Sequence, residues 1–263
     1  MVNYSKNYEK YVPINYIKEI FFYFFFVIIK LFLVKKISNE HNFLVIGLGR
    51  SGTSAICSDL SSKLKLYNFN EIFHFPLINA SFYLSVRIYF NELLYKRGSV
   101  CKLLTYQFDK FSLNLQSIAK QCEQSDIKII FVYRESYEQI LSVCYSNHTK
   151  IWHNRNFSNK YVNNKLDKVD IPIEDFKQQL IKHKHQLKLL ALCEKTFAGC
   201  QKFRVSYEKF LENGIKVISF SGDISFNDQQ NLSGEYLPLS EGGVISRINN
   251  NAELWEFYKQ WKV

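Results

Sequence analysis

The chain has 263 residues, enough for one large domain or two small ones. Hydrophobic residues make up 47% and charged residues 22%, which excludes disordered and fibrous architectures. With 34 Lys+Arg against 24 Asp+Glu the formal net charge is +10, which favours an anionic partner: nucleic acid, an anionic membrane or a polyphosphorylated small molecule. Biased usage of Asn, Lys, Ile, Phe and Tyr is the other source such a charge can have.

Residues 1–40 read as a hydrophobic and basic helical extension, and residues 41–263 as one α/β domain with no linker or internal repeat. Ile20–Ile29 spells IFFYFFFVII, followed by Lys30, LFLV and the pair Lys35-Lys36. As a helix, Ile20–Val34 spans only about 22 Å, short of a bilayer core of about 30 Å. Lys30 interrupts the run, although its stem can snorkel. Acidic residues upstream and the lack of a small-residue cleavage site argue against a signal peptide. Three placements fit: a helix contacting a membrane surface through residues 17–36, a short signal anchor, or a helix packed on the domain. The first gives a cytoplasmic protein at the inner face of a membrane.

The domain opens on Phe43-Leu44-Val45-Ile46-Gly47, a short apolar strand ending in glycine. A helix follows, with Ile56, Leu60 and Leu64 on one face. Val100–Leu104 is a second expected strand. Ile129–Val132 is a third, continuous enough in apolar character for a buried parallel sheet. Helices are expected over Glu138–His148 and over Phe176–Cys193, the latter with Phe176, Leu180, Leu187 and Leu190 on one face. Phe203–Val205 is a fourth strand leading into a helix at Glu208–Leu211. Alternating β and α units predict an α/β fold with a central parallel sheet flanked by helices. Ile215–Phe220 fits strand or helix equally. Thr149–Asp170 and Ser221–Ser246 read as exposed connections, candidates for a lid or an acceptor-binding edge. His183 and His185, two apart, read as solvent-side residues on a basic helix.

The six cysteines Cys57, Cys101, Cys122, Cys144, Cys193 and Cys200 include no CxxC pair and no His-containing cluster at metal-ligand spacing. Reduced, mostly buried thiols in a reducing compartment are expected, with no metal site.

Gly47-Leu48-Gly49-Arg50-Ser51-Gly52-Thr53-Ser54 lies between strand and helix, where backbone N–H groups and the helix dipole attract anions. The glycine spacing fits the first part of a Walker loop, yet Thr53 stands where the lysine belongs. That argues against ATP or GTP hydrolysis, in which the lysine supplies charge to the phosphates. The cation here is Arg50, whose guanidinium offers bidentate bonds to an oxyanion, with hydroxyls from Ser51, Thr53 and Ser54. A plain strand-to-helix turn is the structural alternative.

A strand followed by GRSGTS resembles the 5′-phosphosulfate loop of sulfotransferases that use 3′-phosphoadenosine 5′-phosphosulfate (PAPS). Their second motif is a strand ending in Arg with a Ser about eight residues later, both on the donor's 3′-phosphate; Arg134 and Ser142 stand at that interval. Arg134 also has Glu135 and Glu138 within reach as ion-pair partners. The segment from Tyr133 to His153 is similar to the bacterial carbohydrate sulfotransferases of the trehalose-modifying type, with Arg134, Gln139, Ser142, Thr149 and Trp152 at similar intervals. That branch carries a catalytic Glu about twenty positions after the loop Arg, and Glu71 stands 21 after Arg50. Arg204–Glu208 resembles the family's later strand-to-helix segment, and Ile248–Trp255 its closing helix. The acceptor-facing loops do not align.

The resemblance implies a P-loop-like three-layer sulfotransferase fold and transfer of a sulfuryl group from PAPS to a hydroxyl of a carbohydrate or glycolipid. In that scheme Gly49, Arg50, Ser51, Gly52, Thr53, Ser54, Arg134 and Ser142 bind the donor. Glu71 is the general base, with His74 in reserve, and Lys102, at a strand end, is a second cation or else a solvated lysine. No metal is required. The alternatives are a small-metabolite kinase, which would need magnesium and ATP, and a non-catalytic membrane-peripheral protein on the same fold. A nucleic-acid binder rests on net charge alone, with no recognition motif beside it.

Overall fold

The computed structural model describes residues 41–71, 98–110, 113–150, 168–213 and 244–261. The apolar run 20–34, the base candidate His74, Trp152, Ile215–Phe220 and most of the two long connections lie outside these residues. Among the described residues, no helix is long and apolar enough to cross a membrane.

Among the described residues, five strands form one parallel sheet: β1 (Asn42–Gly47), β2 (Tyr67–Glu71), β3 (Ser99–Leu104), β4 (Lys128–Tyr133) and β5 (Lys202–Ser206). Their spatial order is β2-β3-β1-β4-β5, with β1 in the middle. Seven α-helices are described: α1 (Thr53–Leu64), α2 (Thr105–Lys110), α3 (Leu115–Gln124), α4 (Ser136–Thr149), α5 (Ile173–Thr196), α6 (Tyr207–Asn213) and α7 (Asn251–Trp261).

Side chains alternate across a strand with period two, and β1 sorts its residues accordingly. Phe43 and Val45 pack with Ile56, Leu60 and Phe210, the layer of α1 and α6. Leu44 and Ile46 pack on the other face with Phe108, Ile118 and Leu190, the layer of α2, α3 and α5. Both faces are covered, which is why β1 and β4 read as continuous apolar runs and β3 as one broken only by Lys102. The expected α/β architecture, a parallel sheet between two helical layers, is the one found. A third apolar cluster joins α4, α5 and α7 through Tyr137, Tyr145, Phe176 and Leu254.

The expected strands and helices appear within one to three residues at most ends. β2, α2 and α3 are additional. β2 is YNFNE, paired among the described residues with β3 alone and too polar to register as an apolar run. The side chain of Asn114 caps α3, accepting from the Ser117 N–H at 2.9 Å.

His183 corrects the solvent-side expectation. It is 8% exposed and falls on the stripe of α5 that buries Phe176, Leu180 and Leu190. The apolar spacing i, i+4, i+7 carries it inward whatever its polarity. Burial pushes its imidazole pKa down to about 4, and its Nε2 meets no hydrogen-bond partner. His185 does face outward, 2.8 Å from the Asp109 carboxylate. Five of the six cysteines are buried, and Cys200 is partly so.

Candidate anion-binding site at the strand ends

Because every strand points the same way, the C-terminal ends of β1–β5 and the loops that leave them share one edge. In open α/β sheets that edge holds the ligand. The β1–α1 loop is its centre. Arg50 (φ 65°) and Gly52 (φ 89°) both adopt left-handed backbone. For arginine that conformation costs about 1–2 kcal/mol, so neighbours must hold it.

They do so from α4 and the turn before it. The Arg134 Nη1 donates to the Arg50 carbonyl at 2.9 Å, and the Gln139 Nε2 donates to the Gly49 carbonyl at 2.8 Å. The Arg50 Nε donates to the Ser142 Oγ at 3.0 Å. Gln139 and Ser142 lie three apart on one face of α4, and Arg134 sits one residue past the end of β4. Arg50, Arg134 and Ser142, far apart in sequence, therefore form one continuous polar cluster rather than two separated pockets.

Two glycines make room for this loop. A Cβ on Gly47 would lie 2.6 Å from the Ser51 Oγ and 2.8 Å from the Thr53 Cγ2. A Cβ on Gly52 would lie 2.0 Å from the Tyr207 ring. The space beside Gly49, by contrast, is open within 4 Å of a Cβ placed there. The Arg134 guanidinium also lies over the Tyr207 ring, 5.0 Å from its centroid. Glu208, next along, accepts from the Glu135 N–H at 2.8 Å and so ties α6 to the β4–α4 corner. The Tyr-Glu segment is thus a buttress for the loop. Its role was not legible from spacing.

The cluster is strongly cationic and incompletely satisfied. Burial, and then the neighbouring Arg134 charge, push the Arg50 pKa down to about 10, so it stays protonated at neutral pH. Arg134 has a carboxylate partner in Glu138 at 3.3 Å, as the sequence allowed. Even so, its buried Nε and the buried Ser51 Oγ have no hydrogen-bond partner. Helix α1 begins with no acidic residue in its first turn and no side-chain cap. Two orphaned donors, two guanidinium groups and an uncapped helix start suit an oxyanion carried by a ligand. Thr53 and Ser54 contribute differently. Thr53 is buried with its methyl towards Gly47, whereas Ser54 accepts a hydrogen bond from the Lys102 Nζ.

Lys102 is neither at the strand end nor solvated: it lies inside β3 and is 5% exposed. It shares the face of Val100, beneath α1, because alternate β3 residues do. Its ammonium also meets the Glu71 Oε1 at 3.1 Å. A register irregularity in β2 between Asn68 and Asn70 makes this meeting possible. Beyond it Asn70 pairs with Cys101 and Glu71 with Lys102. Without that step Glu71 would stand beside Leu103, so the bulge re-aims the carboxylate. The Glu71 Oε2 accepts from the Gln107 Nε2 at 3.3 Å and the Tyr106 hydroxyl at 3.5 Å. Burial, then the Glu71 charge, raise the Tyr106 hydroxyl to about 12, which keeps it a donor. Thr149, one of the residues at the resembled intervals, donates to the Tyr145 carbonyl at 2.8 Å.

The fold and this edge define an α/β protein of P-loop-like architecture with a cationic loop at the end of its central strand. No family model and no curated protein matches the chain. Among solved structures it is similar to mouse sulfotransferase SULT7A1 complexed with PAP, at 16% identity and a TM-score of 0.34, over 68% of this chain and 56% of that one. The chain therefore spans little more than half the length of that structure.

Proposed function

We propose that this protein is a PAPS-dependent sulfotransferase acting on a hydroxyl of a carbohydrate or glycolipid. The observation that carries the reading is the junction of Arg50, Arg134 and Ser142 at the end of the central strand, with two buried donors left over. The 3′- and 5′-phosphates of the donor esterify oxygens of one ribose, so a ligand bearing both suits contiguous cations. Arg50, Ser51 and the start of α1 would take the 5′ end, and Arg134 with Ser142 the 3′-phosphate.

PAPS supplies an activated sulfuryl group on a good phosphate leaving group. The chain has to position it, stabilise negative charge and accept one proton. The acceptor oxygen bonds to sulfur while the bond from sulfur to the 5′-phosphate oxygen breaks, its electron pair leaving on the phosphate. The acceptor proton passes to the Glu71 carboxylate, and Lys102, held between Glu71 and Ser54, supports the charge on the transferred group. Thr53 brings no charge where an ATP-binding loop places its lysine, which counts against a kinase.

Calorimetric titration tests the class. 3′-Phosphoadenosine 5′-phosphate (PAP) should bind without metal and more tightly than ATP does with or without magnesium. Preference for magnesium-ATP would overturn the reading in favour of a kinase, and absence of binding by either would leave no enzyme of this class.

A further inference from the structure

Beside the base lies a residue that none of the motifs singled out. Gln107, on the first turns of α2, is 1% exposed. Its Oε1 accepts from the Leu104 N–H at 2.8 Å, and its Nε2 donates to the Glu71 Oε2 at 3.3 Å. The first bond fixes the second. With its oxygen committed to a backbone N–H, the amide cannot turn over, so only its NH₂ can face the carboxylate. Glu71 is thereby gripped at both ends, Oε1 by Lys102 and Oε2 by Gln107, with Tyr106 at longer range.

We propose that Gln107 is a positioning residue for the transfer reaction, locking the Glu71 carboxylate in one orientation through an amide anchored on the β3–α2 backbone. This rests on the reading of Glu71 as the base. Gln107 makes no hydrogen bond to Arg50, Arg134 or Ser142, so it acts on turnover and not on donor binding. A carboxylate free to rotate spends much of its time misaligned, and a misplacement of about 1 Å costs on the order of 10²-fold in rate.

Two variants of the full chain separate this role from packing. Gln107→Leu should lower kcat by about 10²-fold with PAP affinity and KM for PAPS unchanged. Gln107→Glu keeps the shape and the Leu104 bond but sets a second carboxyl against Glu71, and two such groups in contact do not both ionise near neutrality. Among the described residues, the charged and titratable groups around the pair include Lys102 on β3, Tyr106 on α2 and Cys57 on α1. The pair then holds one proton at neutral pH, the base is masked, and turnover should recover as pH rises.

The experiment measures PAP release from PAPS against pH, with a panel of mono- and disaccharides and a glycolipid as acceptors, for wild type and both variants. Calorimetry with PAP serves as the folding control. A kcat loss in Gln107→Leu and an acid limb displaced to higher pH in Gln107→Glu support the proposal. Wild-type kcat and pH profile in Gln107→Glu would overturn it while leaving the sulfotransferase reading intact. So would equal, pH-independent losses in both variants, the mark of a packing role. Should Gln107→Leu fail to bind PAP, the Gln107→Glu profile alone decides. A wild type that binds PAP but transfers to none of the acceptors overturns the assignment of Glu71, and Gln107 falls with it.

Discussion

Arg134 spends its guanidinium in several directions at once. One nitrogen holds the Arg50 carbonyl, a second meets Glu138, the plane lies over Tyr207, and the buried Nε has no partner. Arg134→Ala should therefore weaken PAP binding by about 2 kcal/mol or more, the worth of charge-assisted hydrogen bonds. Arg134→Lys should fall between, because an ammonium restores charge but not the planar fork. Unchanged PAP affinity in both, read by calorimetry, would remove Arg134 from the site. Glu71→Gln separates chemistry from binding: PAP affinity should stay near wild type while turnover drops by about 10²–10⁴, the usual worth of a general base. It also leaves the buried Lys102 without its carboxylate, so a lowered melting temperature should accompany the lost rate. Normal turnover would mean the proton goes elsewhere. The residue types of the site were legible in the sequence because GRSGTS and the Arg134–Ser142 interval are local patterns. Gln107, Tyr207 and the Glu71–Lys102 pairing were not, since each depends on a contact between separate elements or on one bulge.

At the scale of elements, α5 carries an unusual burden. Its inward stripe includes His183, neutral in the fold because burial holds its pKa at about 4 against an ordinary 6.5. A depressed histidine makes the folded state bind fewer protons than the unfolded chain between those two values. Stability is therefore complete above about pH 6.5 and falls as the pH drops towards about 4, by on the order of 3 kcal/mol in total. His183→Leu replaces the imidazole, whose Nε2 has no partner, with an apolar group of similar bulk and should remove that part of the acid slope. The check is urea unfolding at several pH values between 7 and 4. Parallel stability curves for wild type and variant would refute it. The misreading of His183 has a physical origin: the rule that residues two apart do not share a helix face concerned only His183 against His185, and said nothing of the side Phe176 and Leu180 define. Strands β1 and β4 were legible because both faces are buried, which leaves an uninterrupted apolar run, and β3 because its run is broken only by Lys102. β2 was not, because YNFNE alternates polar residues with aromatic ones and offers no apolar run to read.

In the whole molecule, the loop and α4 belong to different parts of the sheet's edge, and hydrogen bonds from Arg134, Gln139 and Ser142 span the gap between them. A ligand that occupies Arg50 and Arg134 together joins elements which separate on unfolding, so its binding free energy adds to that of the fold. At a PAP concentration one hundred times its Kd this linkage amounts to about 2.7 kcal/mol, or roughly 5–10 °C in Tm for a domain of this size. Adenosine, with no phosphate to bridge the cations, should give almost no shift, and adenosine 5′-phosphate a smaller one than PAP. Arg134→Ala should lose most of the PAP increment, whereas Glu71→Gln should keep it on a lower baseline. The increment should also shrink as salt rises from low to physiological strength, though less than for exposed pairs, because Arg50 and Arg134 are largely shielded from solvent. Thermal denaturation with PAP, adenosine 5′-phosphate and adenosine at two salt concentrations is enough to test it. Equal shifts for PAP and adenosine 5′-phosphate would mean that the 3′-phosphate finds no partner, and that Arg134 and Ser142 serve the loop rather than a ligand.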